Sequence, residues 1–141
     1  MGEIERTRAW TVDVAGEDGI VAARQQARDA AKSLGFGMVD QSRITTAVSE
    51  LARNVVRYAT GSRGEVMISE VRSGDMRTGL EVVVRDEGPG IADVNQALRD
   101  GYTSGQGLGM GLPGTKRLMD EMTIDSVPGR GTTVTIRKWR R

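Results

Sequence analysis

The sequence has no cysteine and no histidine. That removes disulfides, thiol nucleophiles, zinc sites and imidazole acid–base chemistry together. Any bound metal must take oxygen ligands, which favours Mg2+ or Ca2+. No apolar run approaches the roughly 18 residues needed to span a bilayer, and Met1 to Arg8 lacks the apolar stretch of a secretion signal. A cytoplasmic location is the expectation. Charge of one sign is not in excess either. Twenty Lys and Arg stand against 19 Asp and Glu, a net charge of +1, so there is no electrostatic case for nucleic acid or membrane. The basic end, Arg137, Lys138, Arg140 and Arg141, reads as a solvated strand end.

What is present suits a globular protein. Hydrophobic content is 38% and charged content 28% over 141 residues, enough for one core and one domain spanning residues 1–141. The unusual component is glycine, at 19 residues. Clusters between Gly88 and Gly131 mark where backbone can approach a ligand closely.

Hydrophobic period divides the chain into helices early and strands late. Trp10, Val12 and Val14 alternate as in a strand. Ile20, Ala23, Ala27, Ala30 and Leu34 step by three and four, a helix stopped by Gly35 with Phe36 making the usual apolar contact. A second helix is expected from about Val39 to Tyr58, with Ile44, Val48, Leu51 and Val55 on its core stripe. After Gly61 and Gly64 the period becomes two, through Val66 and Ile68, then Leu80, Val82 and Val84. A short helix over Asp93 to Leu98 and another opening near Pro113, burying Leu118, Met119 and Met122, are expected next. Strands near Thr123–Val127 and Thr132–Trp139, joined by Pro128-Gly129-Arg130-Gly131, close the chain. This order predicts an α+β two-layer sandwich, with helices on one face of a mixed, mostly antiparallel sheet.

Four constellations carry possible chemistry. On the second helix, Glu50, Asn54 and Arg57 fall within an arc of roughly 60° beside the apolar stripe. A carboxylate and an amide four residues apart can converge on one ligand, although a solvated face with a Glu–Arg pair fits as well. Next, Asp86 continues the apolar side of a strand and is followed by Gly88 and Gly90. A carboxylate there needs a donor, such as an adenine amino group, unless it caps its own turn. Third, Gly105, Gly107, Gly109 and Gly111 alternate into a helix, so backbone N–H groups and a helix N-terminus can face phosphate; a ligand-free loop is the alternative. The run from Gly109 to Gly114 also matches G-x-G-x-x-G, but no strand precedes it, as a dinucleotide fold requires, and no Walker A pattern occurs. Fourth, Gly129-Arg130-Gly131-Thr132 opens the last strand and alone is only a turn.

Taken in order, Glu-x-x-x-Asn, Asp-x-Gly-x-Gly, the glycine-rich stretch and Gly-x-Gly-Thr resemble the GHKL (Bergerat) ATP-binding superfamily. From Ile20 to Arg141 the chain is similar to its small members, the anti-sigma-factor serine/threonine kinases, and to stressosome switch kinases of the RsbT type in particular. The stretches that carry this are Val21-Ala-Ala-Arg-Gln, Leu34-Gly-Phe-Gly, Asp40-Gln, Arg43-Ile-Thr-Thr-Ala, Glu50-Leu-Ala-Arg-Asn and Gly111-Leu-Pro-Gly-Thr-Lys-Arg-Leu-Met-Asp-Glu. With no histidine to accept phosphate and 141 residues suited to one domain, a histidine kinase or a gyrase-type ATPase is not the expectation.

The resemblance implies Mg·ATP as cofactor. Asn54 would hold Mg2+, Glu50 would take the proton of an attacking serine hydroxyl, and Asp86 would fix adenine above Gly88 and Gly90. Gly105, Gly107, Gly109 and Gly111 would cover the triphosphate, and Thr132 would lie beside Asp86. Related kinases carry a lid arginine for the γ-phosphate, but no Lys or Arg lies between Asp100 and Thr115 here. Arg57 is expected to replace it, with Lys116 second. Implied partners are STAS-domain scaffold proteins, as substrate and sequestering partner, and a PP2C-type phosphatase that the released kinase activates. A nucleotide-gated binding module, such as an anti-sigma factor holding a sigma subunit, is the alternative. Glu50 favours the enzyme, because a pure binding module needs no base there.

Overall fold

A computed structural model describes residues 3–58, 63–88 and 111–141. Strand β1 (Glu5–Val14) leads into α1 (Glu17–Ser33) and α2 (Met38–Tyr58). Strands β2 (Gly64–Arg72) and β3 (Thr78–Asp86) follow, then α3 (Gly111–Leu118), β4 (Glu121–Val127) and β5 (Gly131–Trp139). The five strands form one sheet in the order β1-β2-β3-β5-β4, and every pair is antiparallel. The last strand therefore enters the middle of the sheet, placing its first residues beside the last residues of β3. The expected helix over 93–98 and the turn residue Gly61 lie outside the described residues.

Period-two patterning places one apolar face under the helices. Val66, Ile68, Leu80, Val82, Val84, Val134 and Ile136 are buried against Ile20, Ala23 and Ala27 of α1 and Ile44, Val48, Leu51 and Val55 of α2. Burial of this apolar area is the main force holding the two layers together. Two local signals fix where the helices lie. Gly35 adopts φ 85° after α1, Phe36 N–H bonds to Ala31 O at 3.0 Å and Gly35 N–H to Lys32 O at 3.1 Å, which is the Schellman stop that the Gly-Phe pair predicts. At Gly64 a Cβ would stand 2.5 Å from Arg85 O and 2.8 Å from Val55 Cγ1, so the missing side chain is what lets α2 settle on the sheet.

Two expectations change. The helix after Pro113 stops at Leu118, because Asp120 N–H already bonds to Arg137 O at 3.0 Å and starts the next strand pair. Met122 therefore packs from β4, where it is half-buried. The basic end is solvated only in part, with Arg140 and Arg141 exposed and Arg137 and Lys138 drawn inward. Lys138 is 5% exposed and its Nζ donates to Leu118 O at 2.9 Å, with Asp40 and Asp120 carboxylates at 3.7 and 3.6 Å. Arg140 donates to Leu34 O, Arg141 pairs with Asp120, and Arg137 pairs with Glu81 and Glu121. These carboxylates and carbonyls are far away in sequence, so the run of like charge alone could not reveal them.

Glu81 shows how the outer face manages a buried charge. It is 0% exposed, yet Arg6 and Arg137 both reach it at 2.7 Å. The register of β1 slips between Arg6 and Arg8, which turns Arg6 onto that face. An unpaired carboxylate there would carry a large desolvation penalty.

Candidate active site

At one end of the helix-facing side of the sheet, the apolar pattern gives way to a polar row. Gly64, Asp86, Thr132 and Ser126 stand side by side across β2, β3, β5 and β4. Asp86 and Thr132 are direct partners, which is where the sequence expected them. The turn from Val127 to Gly131 brings this about: Arg130 N–H bonds to Val127 O at 2.9 Å and Gly129 adopts φ 81°. Gly131 adopts φ 118°, and a Cβ on it would lie 2.1 Å from Asp86 O. Only glycine fits against that carbonyl.

Asp86 Oδ1 accepts the Gly88 N–H at 2.8 Å, so the aspartate does cap its own turn. Among the described residues no other hydrogen bond reaches the carboxylate. Thr132 Oγ1 lies 3.0 Å from Ser126 Oγ, which in turn bonds to Gly131 O. The row is half-buried at Asp86, Thr132 and Ser126, so it is partly screened from water.

Above the row lies α2. The Cβ position of Gly64 is 2.8 Å from Val55 Cγ1 and 3.3 Å from Asp86 Cβ, which places the turn around Val55 over Asp86. Asn54 is half-buried, Glu50 is 5% exposed and Arg57 is exposed on the last turn. The solvated-face reading therefore fails for Glu50. Its ion-pair partner is Arg53, with Nη1 3.5 Å from Oε1, rather than Arg57. Arg53 is the residue that sequence reasoning missed; opposite charges three apart on a helix were the available signal. Helix α3 packs against α2 and begins at Gly111, with φ 67°. Thr115, fully buried, bonds back to Gly111 O at 3.1 Å. Gly90, Gly105, Gly107 and Gly109 lie outside the described residues.

The donor set fits a purine nucleotide. Asp86 Oδ2 can accept from an amino group, and Thr132, whose proton goes to Ser126 Oγ while Ser126 donates to Gly131 O, keeps lone pairs to accept. Among the described residues no group of three or more carboxylates gathers to hold a metal. Asn54 on α2 offers an amide oxygen, an inventory that suits Mg2+ held mainly by substrate phosphates. No helix of the described residues is long and apolar enough to cross a membrane.

Comparison with known proteins bears on the family and the fold. The family described as histidine kinase-like ATPase domain matches residues 15–138. The chain is 52% identical to the serine/threonine-protein kinase RsbT of Bacillus subtilis (strain 168), over 86% of this chain and 90% of that protein. It is 38% identical to an anti-sigma F factor of Pasteuria penetrans, over 64% and 63% of the two chains. Among solved structures, the RsbU and RsbW domains of a Mycobacterium tuberculosis protein superpose with a TM-score of 0.64 at 23% identity. That match covers 96% of this chain and 33% of the other, and it speaks to the fold.

Proposed function

The chain belongs to the histidine kinase-like ATPase family, and from that membership we propose that it is an ATP-dependent protein serine/threonine kinase of a partner-switching module. The observation that carries this is the placement of a buried carboxylate, Glu50, on the helix that covers the Asp86–Thr132 row. A nucleotide held by the row would present its phosphates along α2 to a base already screened from water.

Each residue then has a task. Asp86 accepts the adenine amino group, Thr132 closes the same edge, and Gly88 with Gly90 keeps side chains away from the ring. Asn54 contributes an oxygen to Mg2+, which when bound neutralises phosphate charge. Gly105, Gly107, Gly109 and Gly111 are assigned to the triphosphate, because glycines at every second position let backbone N–H groups face an anion. Glu50 takes the proton from the acceptor hydroxyl. Phosphoryl transfer depends on alignment and charge neutralisation more than on covalent chemistry, so this short inventory suffices.

The substrate class is a serine or threonine on a STAS-domain protein, and a PP2C-type phosphatase is the second partner. Likeness to the RsbT kinase supports that reading. A second reading, a nucleotide-gated module sequestering a sigma subunit, is favoured by the 38% identity to an anti-sigma F factor. Incubation with γ-labelled Mg·ATP and purified STAS-domain proteins separates the two. Label on a serine or threonine supports the kinase; stable sigma-subunit capture without label supports the module.

A further inference from the structure

We infer that Arg53 is the catalytic cation that meets the transferring phosphoryl group; this rests on the kinase reading of Glu50. The sequence points to Arg57 for that charge, with Lys116 second. The order along α2 favours Arg53. Val55 sits over the Asp86 row, so the base end of the nucleotide belongs beside the turn around Val55. Glu50 lies more than one turn before it, and a base must lie about 3 Å from the hydroxyl it deprotonates. That hydroxyl must in turn approach phosphorus to about 3–3.5 Å. The reacting phosphorus therefore lies within about 7 Å of the Glu50 carboxylate.

Helix rise places Arg53 about 4.5 Å along the axis from Glu50 and Arg57 about 10 Å from it, on the adenine side. Side-chain geometry agrees. Arg53 Nη1 is already 3.5 Å from Glu50 Oε1, and the arginine side chain is 35% exposed against 7% for the glutamate. The guanidinium thus reaches solvent beside a carboxylate that is itself screened. Arg57 is exposed on the last turn, and Lys116 is exposed on α3.

In the transfer step, the serine oxygen forms a bond to the γ-phosphorus as the bond from phosphorus to the bridging oxygen of ADP breaks. The hydroxyl proton passes to Glu50 and ADP leaves. Charge on the three equatorial oxygens is what a guanidinium at this position stabilises, and its fixed fork can hold Glu50 and a phosphoryl oxygen at once. Arg53 is in this sense the missing lid cation, carried on the helix instead.

The test compares wild type with Arg53→Met, Arg53→Lys, Arg57→Met and Glu50→Gln. Calorimetry with ADP and with a non-hydrolysable ATP analogue gives a binding readout, and labelled transfer to a STAS-domain protein gives the rate. Arg53→Met is expected to weaken the analogue about tenfold while leaving ADP within about twofold. It should slow transfer ~10²–10³-fold, more than Arg57→Met does, with Arg53→Lys recovering part of the loss. Should Arg53→Met lose its cooperative melt, Arg53→Gln serves in the same comparison. Equal loss of ADP and analogue binding, or a rate loss that falls on Arg57→Met instead, overturns the assignment. If Glu50→Gln transfers phosphate at the wild-type rate, the kinase reading of Glu50 fails first, and that outcome is distinct from an inert Arg53 substitution.

Discussion

Lys138 closes the C-terminal end of α3 by donating from Nζ to the Leu118 carbonyl at 2.9 Å. The ammonium also draws in Asp40 at the start of α2 and Asp120 after α3, so one side chain fastens the two helices that flank the candidate site. Its side chain is 6% exposed, which removes most solvent screening from the interaction. Lys138→Met keeps the aliphatic stem but leaves two carboxylates without their shared cation. Asp120 retains Arg141, so the loss is expected to be roughly 3 kcal/mol, at the lower end for a broken buried pair. Urea denaturation measures it; a loss under about 0.5 kcal/mol would make the clasp incidental.

The same cluster sets how the protein responds to acid. Burial pushes the Asp120 carboxyl up, but the Trp139 N–H, Arg141 and the charge of Lys138 outweigh it and hold the group below its ordinary value. Glu121 is also held low, by the Trp139 indole N–H and Arg137 working against burial. Both groups are lower in the folded chain, so the unfolded chain binds more protons. Their contribution is present above the ordinary carboxylate range near pH 4 and disappears as pH falls through the folded values. Asp120→Asn should be less stable than wild type at pH 7, with the gap narrowing below about pH 4. A gap that stays constant from pH 7 to pH 3 contradicts this.

Gly131 couples the last turn to the adenine edge. With φ 118° and a Cβ position 2.1 Å from Asp86 O, Gly131→Ala must move β3, β5 or both. Backbone strain and the displaced carbonyl together should cost about 2–4 kcal/mol. Nucleotide affinity should fall as well, since Asp86 is displaced with its backbone. A variant with wild-type melting and wild-type nucleotide binding would show that the turn is decoupled from the site.

Much of the molecule was legible from period and punctuation. The core stripe of α2 and the Gly35 stop follow from local patterns that survive folding, while the Asp86–Thr132 juxtaposition came from the family resemblance. What was hidden depends on partners far away in sequence. Lys138 meets Asp40 across the whole chain, and Arg6 reaches Glu81 only because β1 slips its register. The end of α3 was misjudged because apolar residues at 118, 119 and 122 suit a helix as well as a turn into β4. The Arg53–Glu50 pair lies outside the arc of Glu50, Asn54 and Arg57, so only the i,i+3 charge spacing signals it.

Binding and catalysis should separate at α2. Glu50→Gln keeps size and loses the proton acceptor, so transfer should slow by ~10²–10⁴-fold with Mg·ATP binding nearly intact. Asn54→Ala should instead weaken Mg2+-dependent binding. A phosphatase partner needs only a stable surface, so Glu50→Gln should still bind and activate it. A Glu50→Gln chain that binds ATP normally but cannot activate the phosphatase would contradict separability.

The central claim is that the polar row at the end of β3 and β5 is the floor of an ATP pocket. Calorimetric titration of Mg·ATP into wild type and Asp86→Asn tests it most directly. The substitution exchanges a charged acceptor for an amide while the Gly88 turn can still form, so the fold should persist by circular dichroism. Loss of a charge-assisted hydrogen bond should weaken ATP about ten- to a hundredfold, equivalent to roughly 1.5–3 kcal/mol. Unchanged affinity in a folded Asp86→Asn chain would contradict the placement of the pocket, and with it the account of the site.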